Sequence, residues 1–307
     1  MPTFNRTVTE IFPSGGIRLD RYIAELGLLS RSQIKARGLT ARINGKETKL
    51  SRIVKNGDTL EFLWKEAEPV NVIPENIPLD IVYEDDRAVV VNKPQGMVVH
   101  PGAGNRRGTL ANALYYRRLE RSGSFTTDAP HEGLRPGIVH RLDKDTSGVI
   151  IAAYDDEALA FLAGQFKSRK ARKTYIAVVN GIPREKKGRI ETFIARDTRD
   201  RKRFTVAERG KIALTYYSVI KTWHTHSLLL LRPKTGRTHQ LRVHLRHLGH
   251  PITGDPLYGG VLSPQESLML HARSLGIILP GEDKERLFKT PLPGRFADML
   301  RRLDKNN

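Results

Sequence analysis

PGIVHRLDKDTSGVIIAA, residues 136–153, is a pair of short apolar runs around a polar loop. Runs this short, rich in valine and isoleucine and bounded by glycine, read as strands rather than helices. The loop between them is held at both ends by rigid neighbours, which is where reactive side chains are commonly displayed. Just downstream, DDEALAFLAGQFKSR (155–169) carries Leu159, Leu162, Ala163 and Phe166 on one helical face. KTYIAVVNG (173–181), KIALTYYSVIKTW (211–223) and HSLLLLRP (226–233) are strands. Upstream, LDIVYED (79–85) and RAVVVNKP (87–94) are strands joined by an Asp85-Asp86 turn, and TLANALYYRRLE (109–120) is helical. HQLRVHLRHLG (239–249) sets Leu241, Leu245 and Leu248 along one buried helical edge. Strands outnumber helices and do not alternate with them. The expected architecture is therefore α+β, a mixed and largely antiparallel sheet rather than a doubly wound one.

The 307 residues suffice for one sizeable core plus a smaller domain. Hydrophobic residues at 39% and charged residues at 28% are the balance of a folded chain, not a disordered one. No run of about 18 apolar residues could span a bilayer. The opening MPTFNRTVTEIFPSGG has no apolar stretch of the secretory kind. Cysteine is absent, which removes disulfides and thiolate zinc sites and fits a reducing compartment, so a cytoplasmic protein is expected. Charge is more informative: 52 Lys and Arg against 33 Asp and Glu leave a net +19. An excess of that size favours a polyanionic partner, nucleic acid being the commonest, although a basic surface kept for solubility has the same composition.

The charge is clustered. Between Arg18 and Lys55 ten Lys or Arg, including Arg31, Lys35 and Arg37, face only Asp20, Glu25 and Glu47. IRLDRYIAELG (17–27) is helical, Ser30 can cap a second short helix ending at Gly38, and Asn44-Gly45 suits a tight hairpin. A helix pair and hairpin with basic side chains is a compact phosphate-facing surface. The segment resembles the alpha-L RNA-binding domain; an ordinary small α/β domain is the plainer alternative. KEAEPVNVIPENIP (65–78), with three prolines, reads as a boundary. The expected organisation is residues 1–66 for RNA binding, 67–78 as linker and 79–307 as the larger domain.

Four further segments carry polar residues suited to chemistry. In HRLDKDTSG (140–148), Asp143 sits in the loop between the two strands, and the bland explanation is a carboxylate capping backbone amides. Tyr175 lies mid-strand after the basic tract KSRKARK (167–173), and such tyrosines are usually core with the hydroxyl reaching a partner. In LRPKTGRTHQLRVHL (231–245), Arg237 is either a surface arginine or a guanidinium aimed at a carboxylate or phosphate. HPITGDPLYGG (250–260) and MLHARSLGI (269–277) read only as a loop and a strand.

Taken together and in this order, these segments, with VVVNKPQGMVVHP (89–101) before them, resemble the RluA-type family of pseudouridine synthases over roughly Leu79 to Pro293. HRLDKDTSG followed by GRTHQLRVH is the most specific pair. With the N-terminal module added, the arrangement looks like members acting on large-subunit ribosomal RNA. The resemblance implies an RNA pseudouridine synthase that isomerises uridine without cofactor or metal. It makes Asp143 the attacking carboxylate, on either the sugar or the ring. It pairs Arg237 with Asp143, an arginine that would favour the ionised form and fix its orientation. Tyr175 would stack on the uracil and assist the final proton removal. Arg141 would fill the gap left by the extruded base, an extrusion costing roughly a few kcal/mol.

Lys167, Arg169 and Lys170 are expected to meet phosphate, as is RDTRDRKR (196–203), where Asp197 and Asp200 dilute the charge. His239, His244, His247 and His250 cluster, but no HExxH pattern occurs, so phosphate-contacting or structural histidines are favoured over a metal site. The rival class is a non-catalytic RNA-binding assembly factor; a carboxylate facing RNA argues against it, because it repels phosphate unless it does chemistry or pairs structurally. Transfer RNA is the alternative substrate, and a monomer working in the cytoplasm, away from membranes, is expected.

Overall fold

The computed structural model describes residues 5–11, 16–26, 28–29, 34, 38–65, 72–102, 104–123, 137–259 and 267–306. The chain divides into two compact units, Met1–Asn71 and Val72–Asn307. Within the second, the Glu75 amide donates to the Asn112 carbonyl at 3.1 Å and Asn112 Nδ2 to the Ile73 carbonyl at 2.7 Å. Part of the segment expected as linker is thereby fastened to the larger unit.

The described residues of the first unit include a helix, α1 (Leu19–Glu25), and an antiparallel sheet in the order β1 (Asn5–Ile11), β4 (Thr59–Lys65), β2 (Thr40–Ile43), β3 (Lys46–Thr48). The strand at Asn5–Ile11 escaped the sequence reading; it pairs along the whole of β4. Asn44 and Gly45 both have positive φ, 51° and 75°, as a two-residue hairpin between Ile43 and Lys46 requires. Leu19, Ile23, Leu60, Phe62 and Trp64 close a small core. The second short helix expected from Ser30 to Gly38 falls mostly outside the described residues, and so do Arg31, Lys35 and Arg37.

The second unit is built on an eleven-stranded sheet. Its main path runs β11 (Phe204–Ala207), β10 (Lys187–Arg196), β12 (Lys211–Thr222), β13 (His226–Pro233), β9 (Arg172–Asn180), β14 (Leu270–Ile278), β8 (Ser147–Ala153), β6 (Ala88–Lys93), β5 (Ile81–Glu84). Two short strands branch off it: β15 (Glu285–Lys289) pairs with β14, and β7 (Gly137–Ile138) with β8. Among the described residues every strand pairing of this sheet is antiparallel except β14 with β8, so the sheet is mixed and dominantly antiparallel, an α+β fold. The apolar runs of β6 and β8 are uninterrupted because both faces are covered. Val89, Val91 and Ile150 pack towards α2 (Leu110–Ser122) with Leu110 and Leu114. Val90, Val149 and Ile151 pack towards α3 (Asp156–Lys167) with Ala158 and Leu162. Around β9 and β13 the core takes Leu241 and Leu245 from α4 (Gln240–His247), and Phe296, Met299 and Leu303 from α5 (Gly294–Lys305).

Gly148, at φ +115°, marks the point where β8 comes alongside β14: a Cβ there would lie 2.2 Å from the Ala272 carbonyl oxygen. The glycine that ends HRLDKDTSG is thus required by the close approach of two strands, immediately after the polar loop.

Candidate active site

Asp143 is carried by a loop braced on several sides. Leu142 is buried in the apolar cluster beneath it. His140 stacks on Phe166 at 4.4 Å between ring centroids, and its Nε2 accepts the Ile151 amide at 3.2 Å. Burial, followed by the charge of Lys173, lowers the His140 pKa to about 3, so the ring is neutral. The Lys144 carbonyl receives the Gly96 amide at 2.9 Å and the Lys93 ammonium at 3.1 Å, and Gln95 Nε2 donates to the Asp145 carbonyl at 3.0 Å. Lys93 is fully buried and also donates to the carbonyls of Pro94 and Met97. Burial lowers its pKa to about 8, with Asp145 and Asp143 acting the other way. The NKPQGM segment is therefore the clamp that holds the Asp143 loop.

Opposite Asp143 stands Arg242, in the first turn of α4. Its Nη1 is 3.7 Å from Asp143 Oδ2, and its Nε and Nη2 each reach a carboxylate oxygen of Asp255 at 2.7 Å. Asp255 also accepts the amides of Leu257 and Tyr258 at 2.9 and 3.0 Å, which is what GDPLYGG builds. Burial works against the Arg242 charge, but the hydrogen bonds and charge of Asp255, with Asp143 behind them, raise its pKa on balance. The expected partner of Asp143 was Arg237, and that pairing is corrected here. Arg237 precedes the helix; its amide donates to Gln240 Oε1 and its Nε to the Ile212 carbonyl, both at 3.0 Å. His239, left-handed at φ 56°, turns the chain into α4, so the arginine in the following helical turn is the one that reaches Asp143. Neither Arg242 nor Asp255 was singled out from sequence; the only signal was an arginine beside Leu241 on the buried helical edge.

Tyr175 lies on β9, at the seam where the clusters around Leu231 and Ala272 meet. Burial and then the charge of Asp143 push its hydroxyl well above the ordinary tyrosine range, so it is protonated. Burial likewise lowers His239, against the pull of Asp143; its Nδ1 and the Tyr258 hydroxyl are 2.9 Å apart.

These groups open on one cavity of about 510 Å³. Of the residues singled out from sequence, Asp143, Tyr175, Arg237, Arg141, Lys167 and Arg169 line it; Lys170 does not. Lys173, Lys234, His239 and Arg242 line it as well. Arg169 follows α3 with φ 61°, a conformation in which glycine is the usual residue. The 196–203 tract adjoins this wall, since the Phe204 amide donates to the Tyr258 hydroxyl at 2.8 Å. Its acids are occupied in shaping the turn: Asp197 accepts the Arg199 amide at 2.8 Å and Asp200 the Lys202 amide at 2.9 Å. Arg199, Arg201 and Lys202 are left exposed.

A partly shielded carboxylate paired with a guanidinium, faced by a half-buried phenol and rimmed with cations, suits covalent work on a unit of an anionic polymer. Residues 87–247 match the RNA pseudouridylate synthase family. Ribosomal large subunit pseudouridine synthase D of Borreliella burgdorferi is 42% identical, over 95% of this chain and 91% of its own. An uncharacterised RNA pseudouridine synthase of Aquifex aeolicus is 41% identical, over 94% and 95%. Among solved structures, human RNA pseudouridylate synthase domain containing 4 superposes with a TM-score of 0.59 at 28% identity, over 73% of this chain and 93% of its own.

Proposed function

The chain belongs to the RNA pseudouridylate synthase family, and on that premise we propose that it isomerises uridines of large-subunit ribosomal RNA with the Asp143 carboxylate as nucleophile. The observation that supports the mechanism is the convergence of Asp143, Arg242 and Tyr175 on one cavity. The ribosomal target is supported by the name of the Borreliella relative, which aligns over nearly its full length.

In this reaction the bond from C1′ to N1 breaks and a bond from C1′ to C5 forms. C5 loses its proton and N1 gains one, so the nucleotide keeps its atoms and electrons and no cofactor or metal is required. Attack of Asp143 at C1′ and attack at ring C6 both use a carboxylate presented at the same place. Arg242, locked by Asp255, orients that carboxylate. Tyr175 provides a flat, dry surface that keeps the detached uracil in the cavity. Its hydroxyl is a poor base while Asp143 is charged. On the C6 route the carboxylate is still bonded to the ring when C5 gives up its proton, so one of the two causes that raise the phenol is gone and proton removal is easier; on the C1′ route the new C1′–C5 bond has already displaced the carboxylate, and this help is absent. Arg141, exposed on the loop beside Asp143, takes the place of the extruded base.

Residues 1–66 serve as an alpha-L type RNA-binding domain ahead of the catalytic domain at 79–307, with 67–78 as linker. Lys46, Lys49, Arg52 and Lys55 support this, being exposed basic side chains of the hairpin and the turn that follows it. The working form is a cytoplasmic monomer. The test is incubation of wild type and Asp143→Ala with deproteinised large-subunit and transfer RNA lacking the modification, in excess EDTA. Pseudouridine is then mapped by carbodiimide-dependent reverse-transcriptase stops. Stops in ribosomal RNA with wild type alone are expected. Stops confined to transfer RNA overturn the target, modification at full rate by Asp143→Ala overturns the nucleophile, and binding without modification favours an assembly role.

A further inference from the structure

Lys173 and Tyr175 are two residues apart on β9, so their side chains leave the same face of the strand about 6.8 Å apart along it. Both line the cavity, and so does Lys234, just beyond the end of β13. Lys173 is half-buried, with Nζ 5.9 Å from the centroid of the Phe166 ring. That ring supplies a weak attraction to a cation. The other face-on neighbour of Phe166, His140, is neutral and adds nothing to balance the charge. Neither Lys173 nor Lys234 has a carboxylate partner among the described residues. Burial, and then the nearby charge of Lys234, lower the Lys173 pKa.

Withdrawing an ammonium from water beside a second cation is unfavourable in the free protein, and no acid among the described residues relieves it. Such an arrangement is built for an anion that arrives with the ligand. Lys167 and Arg169 are exposed on the rim, and neither acts on the charge of Lys173 as Lys234 does; they contribute a general field to the approach of a polyanion. With a base resting on Tyr175, Lys173 lies one strand repeat away, comparable to the reach from a base to its own backbone, and Lys234 is near enough for its charge to act on Lys173. We propose that Lys173 and Lys234 clamp the phosphodiester flanking the extruded nucleotide, an inference that rests on the reading of the chain as acting on RNA. The nucleotide is then held at both ends, its base at Tyr175 and its backbone at the lysines. This contact positions without reading sequence.

The test compares wild type, Lys173→Gln and Lys234→Gln, with Lys305→Gln on α5 as control. Binding of a fluorescent uridine-centred oligoribonucleotide is followed over a range of KCl concentrations. Each clamp variant is expected to bind roughly tenfold more weakly and to flatten the plot of log affinity against log salt by about 0.7, one single-strand phosphate contact. The control keeps the wild-type slope. The oligonucleotide is then remade with one uncharged methylphosphonate at a time. A single position beside the central uridine is expected to weaken wild type and to leave both clamp variants indifferent, as coupled partners in a double-mutant cycle must be. Clamp variants with the wild-type slope, or as sensitive as wild type to every methylphosphonate, overturn the proposal. Lys234 is exposed, so its variant reports even where Lys173→Gln disturbs packing. Wild type that binds the oligonucleotide but makes pseudouridine in no RNA overturns the catalytic reading, while the slopes still decide the clamp.

Discussion

Arg242 meets Asp255 through two nitrogens at 2.7 Å and Asp143 through a third at 3.7 Å, so the tighter grip is on the residue remote from the chemistry. The fork geometry explains this. With Nε and Nη2 committed to Asp255, Nη1 is the group left to face Asp143. A lysine can carry the charge but cannot divide it between two carboxylates.

Arg242→Lys is accordingly expected to lose roughly two orders of magnitude in the rate of pseudouridine formation through misplacement of the carboxylate. Arg237→Lys, whose native guanidinium hangs on the Ile212 carbonyl, is expected to lose less than about tenfold. Single-turnover rates on the same RNA check both. Equal losses would restore Arg237 as a partner of Asp143.

Asp143→Asn keeps the shape of the loop and removes the proposed nucleophile. Activity is expected to fall by at least about four orders of magnitude, as when other enzymes lose theirs. RNA binding should hold or tighten, because a negative charge has been taken from a site that meets phosphate. Filter binding beside the modification assay separates the two effects, and weaker binding would show that the carboxylate contributes to recognition.

Arg169 keeps a left-handed backbone at the cavity rim, where glycine would be unstrained. Arg169→Gly is expected to stabilise the fold by roughly 1 kcal/mol. That corresponds to a rise in Tm of about 2–4 °C. The same change should weaken RNA binding and reduce its salt dependence. Calorimetry and binding on one variant check the trade. A lower Tm would mean that the side chain, not the backbone, dominates at this position.

His244 is fully buried between Thr215 Oγ1 at 2.9 Å and Thr192 Oγ1 at 3.1 Å, and burial lowers its pKa to about 4. In the unfolded chain it takes up a proton near pH 6.5, and in the folded protein only near pH 4. The unfolded state therefore binds more protons across that window, and stability falls as the pH drops from 6.5 to 4. The full contribution is of order 3 kcal/mol. His244→Gln, which retains hydrogen-bonding capacity, is expected to show a shallower loss than wild type in urea titrations across this range. Identical slopes would assign the acid sensitivity elsewhere, His100, His140, His239 and His271 being the other lowered histidines among the described residues of the second unit.

Much of this architecture was legible because short apolar runs and glycine-bounded turns have local causes. The strands around HRLDKDTSG, the helix carrying Leu162 and the Asn44-Gly45 hairpin all lie where the spacing placed them. The N-terminal strand was missed because NRTVTEI acquires its meaning only from pairing with β4, about fifty residues on. Arg242 was overlooked for a related reason. Choosing between the arginines at 237 and 242 requires knowing that α4 begins at Gln240 and that Asp255, on a separate loop, claims two of the nitrogens. The acids of the 196–203 tract were read as diluting its charge, yet their oxygens are engaged by backbone amides of the turn. A one-dimensional count of charges cannot register such use.

The parallel contact between β8 and β14 has a temporal meaning. Ser147 follows the Asp143 loop directly, yet its partner across the sheet is His271, and the two are also joined side chain to side chain at 2.9 Å. During synthesis the residues of the first unit emerge before those of the second, and the Asp143 loop waits for a strand made more than a hundred residues later. On the reading of the first unit as an RNA-binding domain, a nascent or prematurely terminated chain occupies RNA without modifying it, and catalytic competence arrives as a late event in the life of each molecule.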